Sequence, residues 1–192
     1  MKIRIREREG PRPSRLKPPG ERPGTVIVRP GRATPPDLPV YCTREVYLSL
    51  WSHAKQGARY EVGGFLLGGY HTHPLAEGVY LDIKVAVPAL KAKSEKASLS
   101  FDNEAQRALH ACVTEDYPDQ VILGWYHTHP GYGVFLSEHD LFIHRSFFAA
   151  SHHVAVVVDP YEARASERIG VFVWEPSEGI SQGYHLIVYA QE

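Results

Sequence analysis

The sequence predicts a mixed α/β (α+β) domain, with one sheet-rich core and two or three helices packed on it. Two patterns carry that prediction: apolar residues alternate with period two in several short segments, and they recur at helical spacing in three others. The strand-like segments also run consecutively at the C-terminal end, as in domains whose helices pack against a single sheet. At 192 residues the chain suits one compact domain better than two large ones.

Residues 1–39 differ from the rest in composition. They hold nine of the fifteen prolines and ten of the twenty-one Lys+Arg residues, against Glu7, Glu9, Glu21 and Asp37. Such a segment buries little apolar surface and reads as an extended or disordered arm, with "KIRIR" and "TVIVR" as its strand-like pieces. It is either a solvated tail or a docking arm for an acidic partner. Residues 40–192 then form the domain.

Thr43 has the chemistry of an N-cap, and Val46, Tyr47, Leu50, Trp51 and Ala54 share one face of a helix that stops at Gly57. "YEVGGFLLGGY" and "VYLDIKVAVPAL" follow as strands. In the second, Val79, Leu81, Ile83, Val85 and Val87 alternate and should share one face. Asp102 can cap a second helix with Ala105, Ala108, Leu109, Cys112 and Val113 on its apolar face. "VILGWYH" is a strand, "SEHDLFIHRSFF" a helix, and "HHVAVVVDP", "IGVFVWEP" and "YHLIVY" are three closing strands.

Several function classes are disfavoured. The net charge of -1 gives no bias toward nucleic acid or membrane surfaces. Cys42 and Cys112 belong to no CxxC pair, so neither a disulfide framework nor a cysteine zinc knuckle is expected, and a cytoplasmic setting fits. The charged start leads into no apolar stretch of a signal peptide, and no window resembles a membrane span.

Chemistry concentrates at a repeated pentapeptide, "YHTHP", at Tyr70–Pro74 and Tyr126–Pro130. In a strand, residues i and i+2 share a face, so His127 and His129 can aim at one point while Thr128 faces away and Pro130 ends the ladder. A third ligand is available in Asp140, in the first turn of the helix beginning near Ser137. Two histidines, one aspartate and an open position make a catalytic zinc pattern, whereas a structural site is closed by four protein ligands. "SEHD" is also an ordinary capping box, and the two roles are compatible. The same steps taken from Pro74 reach Leu81 and Lys84, which cannot complete a site. His71 and His73 are therefore expected in a loop at the far end of the preceding strand, away from the metal.

"HTHPGYGVFLSEHD" resembles the H-x-H-P-x6-S-x-x-D signature of the JAMM (MPN-plus) zinc metalloproteases, and "EVGGFLLG" resembles that family's upstream glutamate strand. The resemblance spans residues 40–190 and implies the MPN fold, a curved mixed sheet flanked by two to three helices. It implies one Zn2+ held by His127, His129 and Asp140. Glu61 would be the general base for a zinc-activated water, and Ser137 a donor to the oxyanion. On the residues alone Glu45, Glu77, Glu104 and Glu138 compete with Glu61, so its role comes from the resemblance.

The family mostly cleaves after the C-terminal tail of ubiquitin or a ubiquitin-like protein, so a ubiquitin-like protein or its conjugates are the expected substrate, by deconjugation or precursor maturation. By that resemblance, "KAKSEKASLSF" falls where the family carries its first substrate-contacting insertion, and the second is shortened to "YEARASER". Without further domains, the chain resembles the stand-alone prokaryotic members. The alternatives are a metallopeptidase for a sulfur-carrier protein or small peptide, and a non-catalytic MPN scaffold. Of the remaining residues, His139 reads as a surface histidine and His144 lies on a different face of the same helix. His152 and His153 read as loop residues. Of Trp125 and Tyr126, one should enter the core and the other line the site rim.

Overall fold

The computed structural model describes residues 11–23, 25–28, 38–57, 59–89, 93–95, 98–100, 115–164, 168–175, 179–184 and 186–191, with positions 107, 111 and 113. In chain order these form β1 (Ser14–Arg15), a short 3-10 turn (Pro19–Glu21), β2 (Thr25–Val28), β3 (Val40–Thr43) and α1 (Arg44–Gly57). Next come β4 (Gly63–Thr72), β5 (Val79–Pro88), β6 (Lys93–Glu95), β7 (Ser98–Ser100) and β8 (Val121–Thr128). The chain then continues through α2 (Glu138–Phe147), β9 (Val154–Val158), β10 (Ile169–Glu175), β11 (Gly179–Tyr184) and β12 (Ile187–Gln191). The second helix expected from the sequence falls largely outside the described residues, although positions 107, 111, 113, 115 and 116 are helical. "KIRIR" and Cys112 lie outside them as well.

The fold is the mixed α/β architecture that the sequence predicts, a curled ten-stranded sheet with a helix on each face. Neighbouring strands run β11-β10-β9-β8-β4-β5-β3-β12-β2, with β1 beside the outer end of β4. Pairs β8/β9, β3/β5, β3/β12 and β1/β4 are parallel. β11 was not foreseen, because "GISQGY" has no apolar alternation; it is the last strand at one end of the order and, among the described residues, pairs with β10 alone.

α1 is capped by Thr43, whose Oγ1 accepts from the Val46 amide at 3.2 Å. It buries Val46, Leu50 and Ala54, spaced four apart, against a cluster that includes Leu66, Leu81, Ile83, Tyr126, Val156 and Leu186. The opposite face packs Ile143 and Phe148 against Phe65, Leu67, Trp125, Val157 and Phe172. With cover on both sides, β9 is buried at every position, which explains its unbroken apolar run.

Two bulges decide which side chains meet which helix. Leu67 pairs with Val85 but Gly68 with Ile83, so Lys84 is an extra residue in β5. The five alternating residues therefore do not share a face: Leu81 and Ile83 join the α1 cluster, and Val85 and Val87 pack on the α2 side. In β8, Leu66 pairs with Gly124 but Leu67 with Ile122, leaving Leu123 as the extra residue. Gly124 has φ +143°, and a Cβ there would sit 1.9 Å from the Val154 carbonyl oxygen. Beyond this kink Trp125 and His127 face α2, while Tyr126 faces α1.

β4 does not begin at Glu61 but at Gly63, and it runs to Thr72. His71 is thus a strand residue, paired with Tyr80 in β5 and Ser14 in β1, and not a loop residue. It lies at the opposite end of β4 from Gly63, whose partner in β8 is His127. The first YHTHP copy instead holds the described part of the arm. Ser14 Oγ is 2.7 Å from His71 Nδ1, and Glu21 Oε2 is 2.8 Å from His73 Nε2. Tyr80 donates to the Leu16 carbonyl at 2.9 Å, and Arg22 pairs with the buried Asp82 at 3.4 Å. Farther along, β2 pairs antiparallel with β12. No helix among the described residues is long and apolar enough to cross a membrane.

Candidate metal centre

The site forms where β8 ends. The register that sets Gly63 against His127 also brings the residues before β4 beside those after β8. Thr128, pointing away from the histidines, fastens this junction. Its Oγ1 accepts from the Val62 amide at 3.0 Å and its own amide donates to the Val62 carbonyl at 2.9 Å, so Glu61 is held next to His129.

His127, His129 and Asp140 converge on the α2 side. Their Nε2 atoms lie 3.0 Å apart, and Asp140 Oδ2 is 3.4 Å from that of His127 and 3.6 Å from that of His129. Glu61 Oε1 stands 3.8 Å from His129 Nε2. All four residues are at most 5% exposed, so water does little to screen them. Trp125 stacks on the His127 ring at 4.6 Å, and Phe135 packs 4.6 Å from His129.

This donor set fits a zinc ion. Three candidate ligand atoms lie within 4.8 Å of one another, and two imidazoles with one carboxylate leave a coordination position open. His129 Nδ1 is 3.1 Å from the Gly133 carbonyl. A carbonyl only accepts, so in the neutral ring Nδ1 carries the hydrogen and Nε2 keeps its lone pair for the niche. His127 Nδ1 is buried with no hydrogen-bond partner among the described residues, leaving this ring fixed by stacking and by its Nε2 contacts.

The electrostatics follow from burial and proximity. Burial raises the Glu61 carboxyl from 4.5 to about 7, helped by the nearby Asp140 charge and opposed by His129. Burial also disfavours the Asp140 anion, but the neighbouring His127 and His129 rings and the Ser137 hydroxyl outweigh it and hold this carboxyl well below the usual range. His127 is pushed down by its complete burial. His129 is pulled down by burial yet ends above its ordinary value, because Asp140, Glu61 and the Gly133 carbonyl favour its cation.

Ser137 caps α2 in a reciprocal capping box. Its amide and hydroxyl both donate to Asp140 Oδ2, at 2.7 and 2.6 Å, and its Oγ accepts from the Asp140 amide at 3.2 Å. The hydroxyl is thus committed to the carboxylate here, so an oxyanion role requires it to turn. His139 is exposed, as expected of a surface residue.

Other side chains behave differently from their expected roles. Trp125 and Tyr126 are both buried, on opposite faces, and neither lines an exposed rim. Tyr126 hydroxyl meets His53 Nδ1 at 2.8 Å, whereas Trp125 Nε1 donates to the buried His144 Nδ1 at 3.1 Å. Burial, with His153 nearby, lowers His144 to about 4, which keeps it a neutral acceptor. His152 sits in a turn but is buried, with its ring stacked on Tyr70 at 5.1 Å. Asp159 was not singled out from the sequence. Its signal was a carboxylate directly after the all-apolar strand β9, a position where burial would force it to find donors.

Comparison with known proteins agrees with this architecture. The JAB1/Mov34/MPN/PAD-1 ubiquitin protease family model matches residues 39–152, more than half of the chain. The "Ubiquitin carboxyl-terminal hydrolase RPN11" of Saccharomyces cerevisiae is 32% identical over 126 residues, covering 65% of this chain and 39% of the relative. The "26S proteasome non-ATPase regulatory subunit 14" of Drosophila melanogaster is 32% identical over 143 residues, covering 70% and 44%. The chain thus spans less than half the length of these curated relatives. The solution structure of DSY2949 from Desulfitobacterium hafniense shares the fold with a TM-score of 0.58 at 18% identity, covering 80% of this chain and 93% of that one.

Proposed function

The chain belongs to the JAB1/Mov34/MPN/PAD-1 ubiquitin protease family, and on that premise we propose that it is a zinc-dependent isopeptidase or peptidase that cleaves after the C-terminal tail of a ubiquitin-like protein. The observation that carries the proposal is the placement of Glu61. A buried carboxyl with a pKa near 7 faces a niche made by two imidazoles and a carboxylate. That combination favours catalysis over a non-catalytic scaffold, since burying a carboxyl costs stability.

His127, His129 and Asp140 would hold the zinc. When bound, zinc supplies Lewis-acid polarisation of the scissile carbonyl and brings the acidity of water toward neutrality. Glu61 takes the proton of the attacking water on its carboxylate and later delivers it to the leaving amine nitrogen. A group titrating near the working pH serves both steps. Ser137 retains its amide bond to Asp140 while its hydroxyl turns to the developing oxyanion, adding charge stabilisation that the ground state lacks. The near-complete burial of the four side chains strengthens each of these interactions.

Two features support an extended tail as the substrate. β6 and β7 form a two-stranded ribbon apart from the main sheet, within the region expected to contact substrate, and a ribbon edge can accept an added strand. Phe135, 41% exposed, offers an apolar surface beside His129. The curated relatives' names refer to ubiquitin hydrolysis and to the proteasome, which agrees with a ubiquitin-like substrate here.

The test uses the purified full chain. It should retain about one zinc per molecule and cleave an isopeptide-linked ubiquitin-like conjugate. Asp140→Ala should lose the metal. Glu61→Gln should keep the metal and lose turnover by about 10²- to 10⁴-fold. Failure of the wild type to bind zinc would overturn the proposal, and cleavage of a free tail peptide but no folded conjugate would favour a peptidase for smaller substrates.

A further inference from the structure

One buried carboxylate takes no part in the chemistry above. Asp159 follows β9 and is 0% exposed. Its Oδ1 accepts from the amides of Gly131 and Tyr161, each at 2.9 Å, and its Oδ2 from the amide of Gly133 at 2.8 Å. Gly131 and Gly133 have φ of +82° and +88°, so the loop after the second YHTHP copy adopts a backbone that most residues avoid. Two amides in such a loop that converge on one carboxylate form an anion-binding concavity. Here the anion comes from the protein itself.

The other side of this loop touches the niche. The Gly133 carbonyl is 3.1 Å from His129 Nδ1, so the residue whose amide Asp159 grips also orients one of the three candidate ligands. The adjoining backbone closes the arrangement: the His129 amide donates to the Val158 carbonyl at 2.9 Å, one residue before Asp159. Loop, strand end and ring therefore form one hydrogen-bonded unit.

We propose that Asp159 is a positioning residue for His129: by holding the Gly131 and Gly133 amides, it aims the Gly133 carbonyl at Nδ1 and fixes the tautomer whose Nε2 lone pair faces His127 and Asp140. The inference rests on the metal-centre reading of the niche. A carboxylate suits the task better than an amide, because both of its oxygens only accept. Asparagine has nearly the same shape but would turn an NH2 group toward one of the gripped amides. That mismatch loosens the loop without opening a cavity.

The experiment uses the full chain and zinc alone as the probe, titrated against a chromophoric chelator, with histidine tautomers read by long-range 1H–15N NMR at a pH where His129 is neutral. In the wild type, His129 should carry its proton on Nδ1. Asp159→Asn should weaken zinc binding by about 10- to 100-fold, as expected when the group orienting a metal-bound histidine is lost. It should also give a mixture of His129 tautomers at temperatures well below its unfolding midpoint. A role confined to stability would lower that midpoint and leave both readouts unchanged. A folded Asp159→Asn that binds zinc within about twofold of the wild type overturns the proposal. So does a wild-type His129 with its proton on Nε2, a result that decides the question even if the variant does not fold. A wild type that binds no zinc sinks the metal-centre reading, and the tautomer still reports separately on Asp159.

Discussion

Replacing Glu61 by glutamine should make the metal-free protein more stable above neutral pH while cutting turnover of the zinc-loaded protein about 10²- to 10⁴-fold. Glu61 is 5% exposed, and its carboxyl is raised from 4.5 to about 7, chiefly by burial. Its folded-state pKa lies above the unfolded value, so the native state binds the extra proton. Its contribution is therefore full below about pH 4.5 and is lost as pH rises through about 7. Integrated between pH 5 and pH 8, the loss is about 2.5 kcal/mol, at 1.36 kcal/mol for each tenfold change in proton affinity. Glutamine does not titrate, so the variant escapes that loss. Urea unfolding of both metal-free proteins at pH 5 and pH 8 measures it directly. The stability of Glu61→Gln relative to wild type should rise by roughly that amount across the interval. A difference that does not change with pH would mean that Glu61 titrates as an ordinary glutamate, and its fitness as a base at neutral pH would go with it.

Three further outcomes follow from the geometry. His71→Ala combined with His73→Ala should leave hydrolysis at the wild-type rate but expose residues 14–22 to limited proteolysis, because these rings contact Ser14 and Glu21. Trp125→Phe should cost about 1–3 kcal/mol in denaturant unfolding, since it leaves the buried His144 Nδ1 without its donor. Its zinc affinity should fall too, because the larger indole stacks on His127. Gly124→Ala should destabilise by at least about 2 kcal/mol, through strain at a positive φ and collision with the Val154 carbonyl. Thermal unfolding checks it.

Sequence reasoning captured what periodicity and spacing encode. Alternation located β5, short apolar runs located β4, β8 and β9, and the short distance from His129 to Asp140 limited where a third ligand could lie. What it could not encode is where alternation changes phase. Lys84 and Leu123 look like any other strand residues, yet each is the extra residue of a bulge, and the bulge beside Gly124 sets Trp125 and His127 on the α2 face. The glycine itself was the available sign, since a glycine inside a strand marks a bulge or a close backbone approach. Burial imposed by the third dimension was equally illegible: His144 is polar and near the end of its helix, but the fold seals it beneath Trp125, Phe148 and Trp174.

The two YHTHP copies show how much the surroundings decide what a motif can do. Each supplies two histidines near the end of a strand, yet the neighbours differ in kind. Around the second copy lie a buried carboxylate from α2, a second carboxyl before β4, and a carbonyl that orients one ring. Those groups favour a cation with an open position. Around the first copy lie a serine hydroxyl and a glutamate that is half exposed, contributed by the arm. They give hydrogen bonds to a neighbouring segment and no enclosed set of ligand atoms; among the described residues only the second copy belongs to a three-ligand group. The copies diverge because β4 carries its outer end away from β8 to β1, so His71 meets the arm where His127 meets α2. If grafting an aspartate opposite His71 and His73 were enough to create hydrolysis, this account would be wrong: among the described residues the first copy has the half-exposed Glu21 where the second has the buried Glu61 proposed as base, and its His73 Nδ1 accepts from the Leu75 amide where His129 Nδ1 meets the Gly133 carbonyl.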